Sequence, residues 1–215
     1  MTPSQSRRVT NDTTQARAFF RKQAGFSLIE MLIVMAILLV ATAIGFIELR
    51  PAMNQIRVSN AYNTTLMTIR RAREAAIGQR RTYIVTFSNA AVPNTVTIAP
   101  ASVTPGGLNV TYTLPNDVLF TALGGLPAAA PDGFGTGTTA IDFDQNVGGG
   151  NKTSIYFYPD GSAQDINSNT NNGVIYMGRN GELYSSMAIT LWGATGRLRG
   201  WRLTNVAGAP TWKQQ

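Results

Sequence analysis

The sequence predicts an α+β protein: a long N-terminal helix, transmembrane in its first half, packed on an antiparallel β-sheet head. Two observations predict the helix, since residues 26–47 form an apolar run and residues 58–76 repeat apolar side chains at intervals of three and four. A third predicts the sheet, because short runs rich in Val, Ile, Thr and aromatic residues follow residue 81. We therefore divide the chain into a leader (1–25), a membrane helix (26–47), an amphipathic helix (48–79) and a β-rich head (80–215).

The membrane helix is predicted from length and polarity. Residues 26–47 read FSLIEMLIVMAILLVATAIGFI, where only Ser27, Glu30 and Thr42 are clearly polar. At ~1.5 Å per residue the run reaches about 33 Å, enough to cross a hydrocarbon core. The leader has five basic residues against one acidic residue, a net +4 of the chain's +7. This excess predicts a cytoplasmic leader, a single pass through a bacterial inner membrane and a periplasmic head.

Glu30 is the anomaly of the apolar run. A carboxylate inside a bilayer is costly and is usually functional. It lies in the first turn of a helix that begins at Phe26, where the helix dipole favours an anion. Cleavage between Gly25 and Phe26 would create an α-amino group that could serve as its cationic partner.

The string Gly25-Phe26-Ser27-Leu28-Ile29-Glu30, between a basic leader and a spanning run, resembles the signal of type IV prepilins and type II secretion pseudopilins. The resemblance implies that a prepilin peptidase cuts after Gly25 and that the new N-terminal Phe26 is methylated. It also implies that Glu30 pairs with the terminal amine of a neighbouring subunit in a fibre. The expected fold is pilin-like, the expected partners are the inner membrane, the peptidase and other pilins or pseudopilins, and no catalytic residue or cofactor is expected.

Three further segments resemble the GspH/FimT group of minor pseudopilins and minor pilins. They are residues 72–77 (AREAAI), residues 155–162 (IYFYPDGS) and Gly196-Arg197. The resemblance implies a GspH-like minor pseudopilin of a type II secretion pseudopilus, which acts in fibre assembly and protein secretion and has secreted cargo as a further partner. The insertion at residues 124–152 is not part of the resemblance to this group.

An alternative function concerns the string Gly196-Arg197-Leu198-Arg199. It resembles the GRxR motif of DNA-binding minor pilins of the FimT kind, which take part in DNA uptake. In a strand Arg197 and Arg199 would point to the same side, Arg202 adds charge, and three tryptophans are nearby in sequence. Such a surface could hold phosphates and stack bases. The other interpretation is a solvated strand edge whose basic residues discourage aggregation.

Composition argues against catalysis, because the chain has neither His nor Cys. A remote alternative is a periplasmic enzyme released by signal peptidase at Ala41-Thr42-Ala43, which predicts a mature terminus near Ile44. The string Asp142-Phe143-Asp144-Gln145-Asn146 has the spacing of a calcium loop. We assign no metal site there, because Val147 and Thr153 stand where glycine and glutamate belong.

Within the head, the helix is expected to bury one face, kink at Pro51 and end at Gly78. The predicted core residues of that face are Val58, Tyr62, Leu66, Ile69, Ala72 and Ala76. Strands are predicted at residues 82–88, 95–99, 109–114, 154–158, 174–178, 183–191 and 198–203. Asn180-Gly181 predicts a type I′ hairpin turn and Pro159-Asp160-Gly161 a second turn, whereas residues 124–152 and 165–173 are predicted to be loops.

Overall fold

The computed structural model describes residues 25–102, 106–128, 130–145 and 153–215. Within these residues a long helix, α1 (Leu28–Gln79), is followed by strands. The strands are β1 (Tyr83–Ser88), β2 (Thr95–Pro100), β3 (Val110–Thr113), β4 (Leu119–Phe120), β5 (Ile141–Gln145), β6 (Ser154–Phe157), β7 (Ala163–Gln164), β8 (Asn172–Arg179), β9 (Glu182–Trp192), β10 (Arg197–Val206) and β11 (Ala209–Gln214). The predicted α+β class is confirmed.

The chain divides into two units, Met1–Ile47 and Glu48–Gln215. In the first unit every side chain described from Phe26 to Phe46 is exposed, including Leu28 at 82% and Leu39 at 70%. The helix is long and apolar enough to cross a membrane. Because these side chains pack on none of the residues that the structure describes, they need lipid or other helices to cover them.

In the second unit, the helix buries the face that its periodicity predicts. All six predicted core residues are buried: Val58, Tyr62, Leu66, Ile69, Ala72 and Ala76. Two threonines share that face, and their hydroxyls donate to backbone carbonyls one turn earlier, Thr65 to Ala61 and Thr68 to Thr64. Helical period alone therefore identified the packed face.

The helix ends at Gln79, the bound predicted for the amphipathic segment, which is one residue beyond the stop signal at Gly78. The helix continues through Gly78 to Gln79, and Arg80 takes the left-handed conformation with φ 51°. The amide of Arg81 then donates to the carbonyl of Ala76 at 3.2 Å, which satisfies a carbonyl of the last turn. The helix is also continuous through Pro51, which cannot donate a backbone hydrogen bond.

The strands form two antiparallel sheets. The first has the order β3-β2-β1-β6-β7, and the second has the order β11-β10-β9-β8-β4, with β5 also paired to β8. Tyr83, Val85 and Phe87 of the first sheet join Met187 and Ile189 of the second in one core with the buried helix face. Burying each such side chain stabilises the fold by about 1.5–3 kcal/mol, so this shared core holds the helix and both sheets together.

One glycine sets how closely the helix approaches the second sheet. A Cβ built on Gly200, in β10, would collide with the hydroxyl of Tyr62 on α1. Gly200 pairs with Ile189 of β9, whose side chain lies in the shared core. Glycine in the middle of this strand therefore marks the point where the tyrosine enters.

All seven predicted strands are present, but β4, β5, β7 and β11 were missed. Strand β5 lies inside residues 124–152, which were predicted to be a loop. The turn Asn180-Gly181 does connect β8 to β9, but it is not type I′, because Gly181 has a positive φ and Asn180 does not. The type I′ pattern occurs instead at Ala207-Gly208, with φ values of 51° and 87° between β10 and β11.

Candidate functional site

The N-terminal signal lies at the start of α1. Gly25, Phe26 and Ser27 precede the helix and are exposed. The carbonyl of Ser27 accepts the first helical hydrogen bond, from the amide of Met31 at 3.1 Å. The Gly25–Phe26 peptide bond thus lies just before the first turn, in exposed chain without regular secondary structure.

Glu30 occupies the first turn of the helix and is exposed. Within the described residues its carboxylate has no hydrogen bond and no ion pair, whereas the hydroxyl of Thr42 donates to the carbonyl of Leu38 at 2.5 Å. The threonine is therefore satisfied by its own helix, but the carboxylate is not. In an apolar medium an ionised carboxylate without a cationic partner is costly.

The structure places the three candidate arginines on one strand but on two faces. Arg197, Arg199 and Arg202 all lie in β10. Since Gly200 faces Tyr62 of the helix, alternation directs Arg202 to that same side and Arg199 to the other, where it meets Asp132. Arg197, the first residue of the strand, lies beside the helix. The predicted basic cluster is therefore split.

Arg199 is held by a buried carboxylate. Its Nη1 lies 2.6 Å from Oδ1 of Asp132, and the two side chains are 27% and 6% exposed. The hydroxyl of Thr190 donates to Oδ2 of the same aspartate at 2.6 Å, and the indole of Trp201 donates to Thr190 at 3.0 Å. Arg199 thus belongs to a packed hydrogen-bond network. Sequence reasoning missed Asp132, because it is far away in the chain.

Asp132 belongs to the insertion at residues 124–152. It lies in a short 3-10 turn, Pro131–Gly133, with a left-handed φ of 55°. The neighbouring Phe134 packs with Val174 and Tyr176 in a small second core, against which Trp201 and Trp212 also pack. Leu126, Ala130 and Phe134 of the insertion therefore cover the face of the second sheet that points away from the helix.

Burial in this second core raises the pKa of Tyr176 to about 12, and the carboxylate of Asp142 adds to the rise. Asp142 itself is in β5 and is paired with Val174. The calcium-like string beginning at Asp142 is therefore strand in its first four residues, and Asn146 lies outside the described residues. Among the residues that the structure describes, no group of three His, Cys, Asp or Glu residues could hold a metal ion.

A second arginine, Arg73 on α1, joins two turns. Its Nε donates to the carbonyl of Gly161 at 3.1 Å, and its Nη2 donates to the carbonyl of Thr195 at 3.0 Å. Gly196 has φ 60°, and a Cβ there would collide with the Gly161 carbonyl. The three segments 72–77, 155–162 and Gly196-Arg197 therefore meet at one junction, where they serve packing.

Arg197 is exposed beside that junction. It lines a small cleft with Arg70, Arg73 and Glu74 of the helix. Arg70 is exposed as well. The positive charge at this end of the head thus comes from α1 and the first residue of β10. The prediction from the string 196–199 did not include Arg70.

The N-terminal part of the chain is similar to a known family. Residues 20–46 match the family described as "Prokaryotic N-terminal methylation motif". This is the N-methylation motif of prepilin-like proteins, the type IV pilin and pseudopilin class, and the long helix followed by antiparallel sheets is consistent with a pilin-like fold. No curated protein and no solved structure matches the chain.

Proposed function

We propose that this chain is a structural subunit of a pilus-like fibre and, more specifically, a GspH-like minor pseudopilin of a type II secretion pseudopilus. The observation that carries the proposal is the methylation motif at residues 20–46 on a helix whose apolar side chains are all exposed from Phe26 to Phe46. A prepilin peptidase cuts after Gly25, and Phe26 becomes the methylated terminus.

The helix stores the subunit in the membrane and then enters a bundle of helices. Moving an apolar helix from lipid into a bundle brings little hydrophobic free energy, because lipid tails are as apolar as leucine. A polar pair therefore has a large influence on which arrangement forms. Glu30 supplies its anion, and the amine of Phe26 on a neighbouring subunit supplies its cation, so that the pair sets the register between subunits.

The more specific assignment rests on the likeness of segments 72–77, 155–162 and Gly196-Arg197 to the GspH/FimT group. Their meeting at Arg73 gives each segment a common structural task, which supports treating them as one motif. The head then faces the outside of the fibre and contacts other minor subunits or secreted cargo.

The processing step is tested by the intact mass of the chain purified from cells that contain a prepilin peptidase. The proposal expects a chain that begins at Phe26 and carries one methyl group, and a Gly25→Leu variant that keeps its leader. A chain that begins near Ile44 would instead support signal-peptidase release and a periplasmic enzyme.

The assembly step is tested with Glu30→Ala, with Thr42→Ala as the matched control in the same apolar run. Both variants are expected to reach the membrane. Only Glu30→Ala is expected to be absent from sheared fibres, because the hydroxyl of Thr42 is already bonded within its helix. Equal recovery of the two variants in fibres would overturn the role of Glu30.

A second candidate function is DNA binding by a FimT-like minor pilin. The observation that favours it is that Arg197 and Arg70 are both exposed and line one cleft. Arg199 contributes less in this arrangement, since its guanidinium is held by Asp132, and Arg202 lies farther along β10 and lines a different cleft.

This candidate is tested by DNA binding of the full chain in detergent across a salt series. Each phosphate contact that is lost should reduce the salt slope by about 0.9 for duplex DNA. Arg197→Ala and Arg70→Ala are expected to weaken binding, and Arg202→Ala is the matched control. No binding by the wild-type chain at low salt would favour the pseudopilin over the DNA-uptake pilin.

A further inference from the structure

One end of the second sheet carries two hairpin tips. Strands β8 to β11 run as an antiparallel meander, so the turns Asn180-Gly181 and Ala207-Gly208 lie at the same end and the turn 193–196 lies at the opposite end. A cleft on strands β9 to β11 is lined by Tyr184 and Asn205 near these tips and by Lys213, which pairs with Arg202 farther along the strands. We call Tyr184, Asn205, Val206 and Lys213 the tip surface.

The tip surface adjoins the start of the head's helix. A second cleft is lined by Pro51, Asn54 and Gln55 of α1 together with Gly181 and Tyr184 of the β8–β9 hairpin. Pro51 follows Ile47, the last residue of the apolar unit, by four residues. Four residues span at most about 14 Å of chain, so Pro51 lies within that distance of the last residue of the apolar run.

The exposed side chains at this end suit a lipid interface. Val206 is 55% exposed and Tyr184 is 41% exposed. On the helix beside them Met53 and Ile56 are 53% and 58% exposed. Tyrosine is enriched at the headgroup level, because its ring is apolar and its hydroxyl reaches water.

The charge at this end is also complementary to anionic lipid. Lys213 is exposed and pairs across the strands with Arg202, which is half-buried. The two acidic residues at this end are both paired, Asp117 with Arg57 at 3.3 Å and with Arg179 at 3.1 Å, and Glu182 with the same Arg179. Lys213 is therefore left as the exposed cation of the tip surface.

We propose that the tip surface docks on anionic lipid headgroups and seats the head on the membrane before the subunit enters a fibre. The inference rests on the proposed function, since it requires the apolar unit to span a bilayer. Val206 and Tyr184 enter the headgroup layer, while Lys213 attracts the anionic headgroups. Docking limits the orientations of the head while the subunit is in the membrane. The contact is lost when the helix leaves the membrane for the fibre.

The test uses the full chain in vesicles and a fluorophore on single cysteines, which is straightforward because the chain has no cysteine. The positions are Val206→Cys at the tip surface, Ala194→Cys as the matched exposed position at the opposite end, and Val40→Cys in the apolar unit. Quenching is measured with a nitroxide on the lipid headgroup and, separately, on the acyl chain. The vesicles are phosphatidylethanolamine with phosphatidylglycerol, compared with phosphatidylcholine alone.

Headgroup quenching is expected at residue 206 and not at 194, and acyl-chain quenching at 40. Lys213→Gln is expected to lower the ratio of docked to undocked heads about fivefold in the anionic vesicles, because one basic residue near an anionic surface changes this equilibrium by about that factor. Arg70→Gln, the control, should leave the ratio unchanged. Equal quenching at 206 and 194 with quenching at 40 retained would overturn docking but not the membrane-anchored subunit. No quenching at 40 would overturn both, and equal docking on neutral vesicles would overturn the anionic preference.

Discussion

Replacing Gly200 by alanine should destabilise the head, although alanine normally improves a strand position by about 0.5–1 kcal/mol. The new Cβ would collide with the hydroxyl of Tyr62 and lie 2.7 Å from its Cζ and 3.3 Å from its Cε2. Since carbon atoms pack at about 3.5–4.0 Å, Cζ would have to recede by roughly 1 Å, and the hydroxyl oxygen would have to move farther still. Tyr62 is only 4% exposed and is packed among Val58 and Leu66, so it has little room to move.

Overpacking of this kind costs about 1–3 kcal/mol, which exceeds the gain from removing a glycine. The assay is thermal unfolding of the full chain in detergent, where each kcal/mol lost should lower the Tm by about 2–4 °C for a unit of this size. In a Tyr62→Leu background, Gly200→Ala should have little further effect. Gly178→Ala is the matched control, because its nearest contacts are side chains at 3.3 Å. A Gly200→Ala chain as stable as wild type would refute the reasoning.

Three further predictions concern the head, each checked by unfolding of the full chain. Gly196→Ala should lower the free energy of unfolding by about 2–5 kcal/mol, because the left-handed backbone strain adds to a collision with a carbonyl. Gly181→Ala has an open Cβ position and should lower it by only about 1–2 kcal/mol. Equal losses in the two variants would contradict the collision. Asp132→Asn keeps a side chain that tolerates φ 55° but removes the charge that holds Arg199, so we expect a loss of about 1–3 kcal/mol, absent in an Arg199→Ala background. Burial raises the pKa of Tyr176 to about 12 from an ordinary 10.0, so Tyr176 ionises at lower pH in the unfolded chain than in the folded one. The contribution of Tyr176 to the free energy of unfolding should therefore fall from about pH 10 to about pH 12. The Tyr176→Phe chain should lack this contribution, and tyrosinate absorbance would follow the ionisation.

Local patterns predicted the parts of the fold that local chemistry determines. The helix face from Val58 to Ala76 was predicted because one-sided packing imposes a period that survives in the sequence. The strands of the main core were predicted because runs of β-branched and aromatic residues pack well in sheets. Strand β11 was missed because its sequence, APTWKQ, carries proline and polar residues at a sheet edge, where β propensity is weakly required.

What local patterns could not predict are the pairings between distant segments. The partner of Arg199 is Asp132, which lies 67 residues earlier in the chain, within residues 124–152 that were predicted to be a loop. The sequence near Arg199 contains no signal for this pairing. Strand β5 was missed for a similar reason, since Asp142 and Asp144 suggested a polar loop, whereas both lie in β5, which pairs with β8. Such contacts depend on the tertiary arrangement, which single-segment propensities do not encode.

The position of Arg199 changes how the arginine motif must be tested. A double replacement of Arg197 and Arg199 would remove an exposed cation and, together with it, the partner of a buried carboxylate. Leaving Asp132 buried without its cation destabilises the insertion, so loss of DNA binding in that double variant would not distinguish a ligand contact from a folding defect. Two variants distinguish a ligand contact from a folding defect. Arg197→Ala removes only an exposed cation. Arg199→Ala combined with Asp132→Asn removes both charges of the ion pair together, so that no buried charge is left without a partner. If DNA binding falls only with Arg197, the motif combines one binding residue with one folding residue. If it falls with both, Arg199 must leave Asp132 when DNA binds.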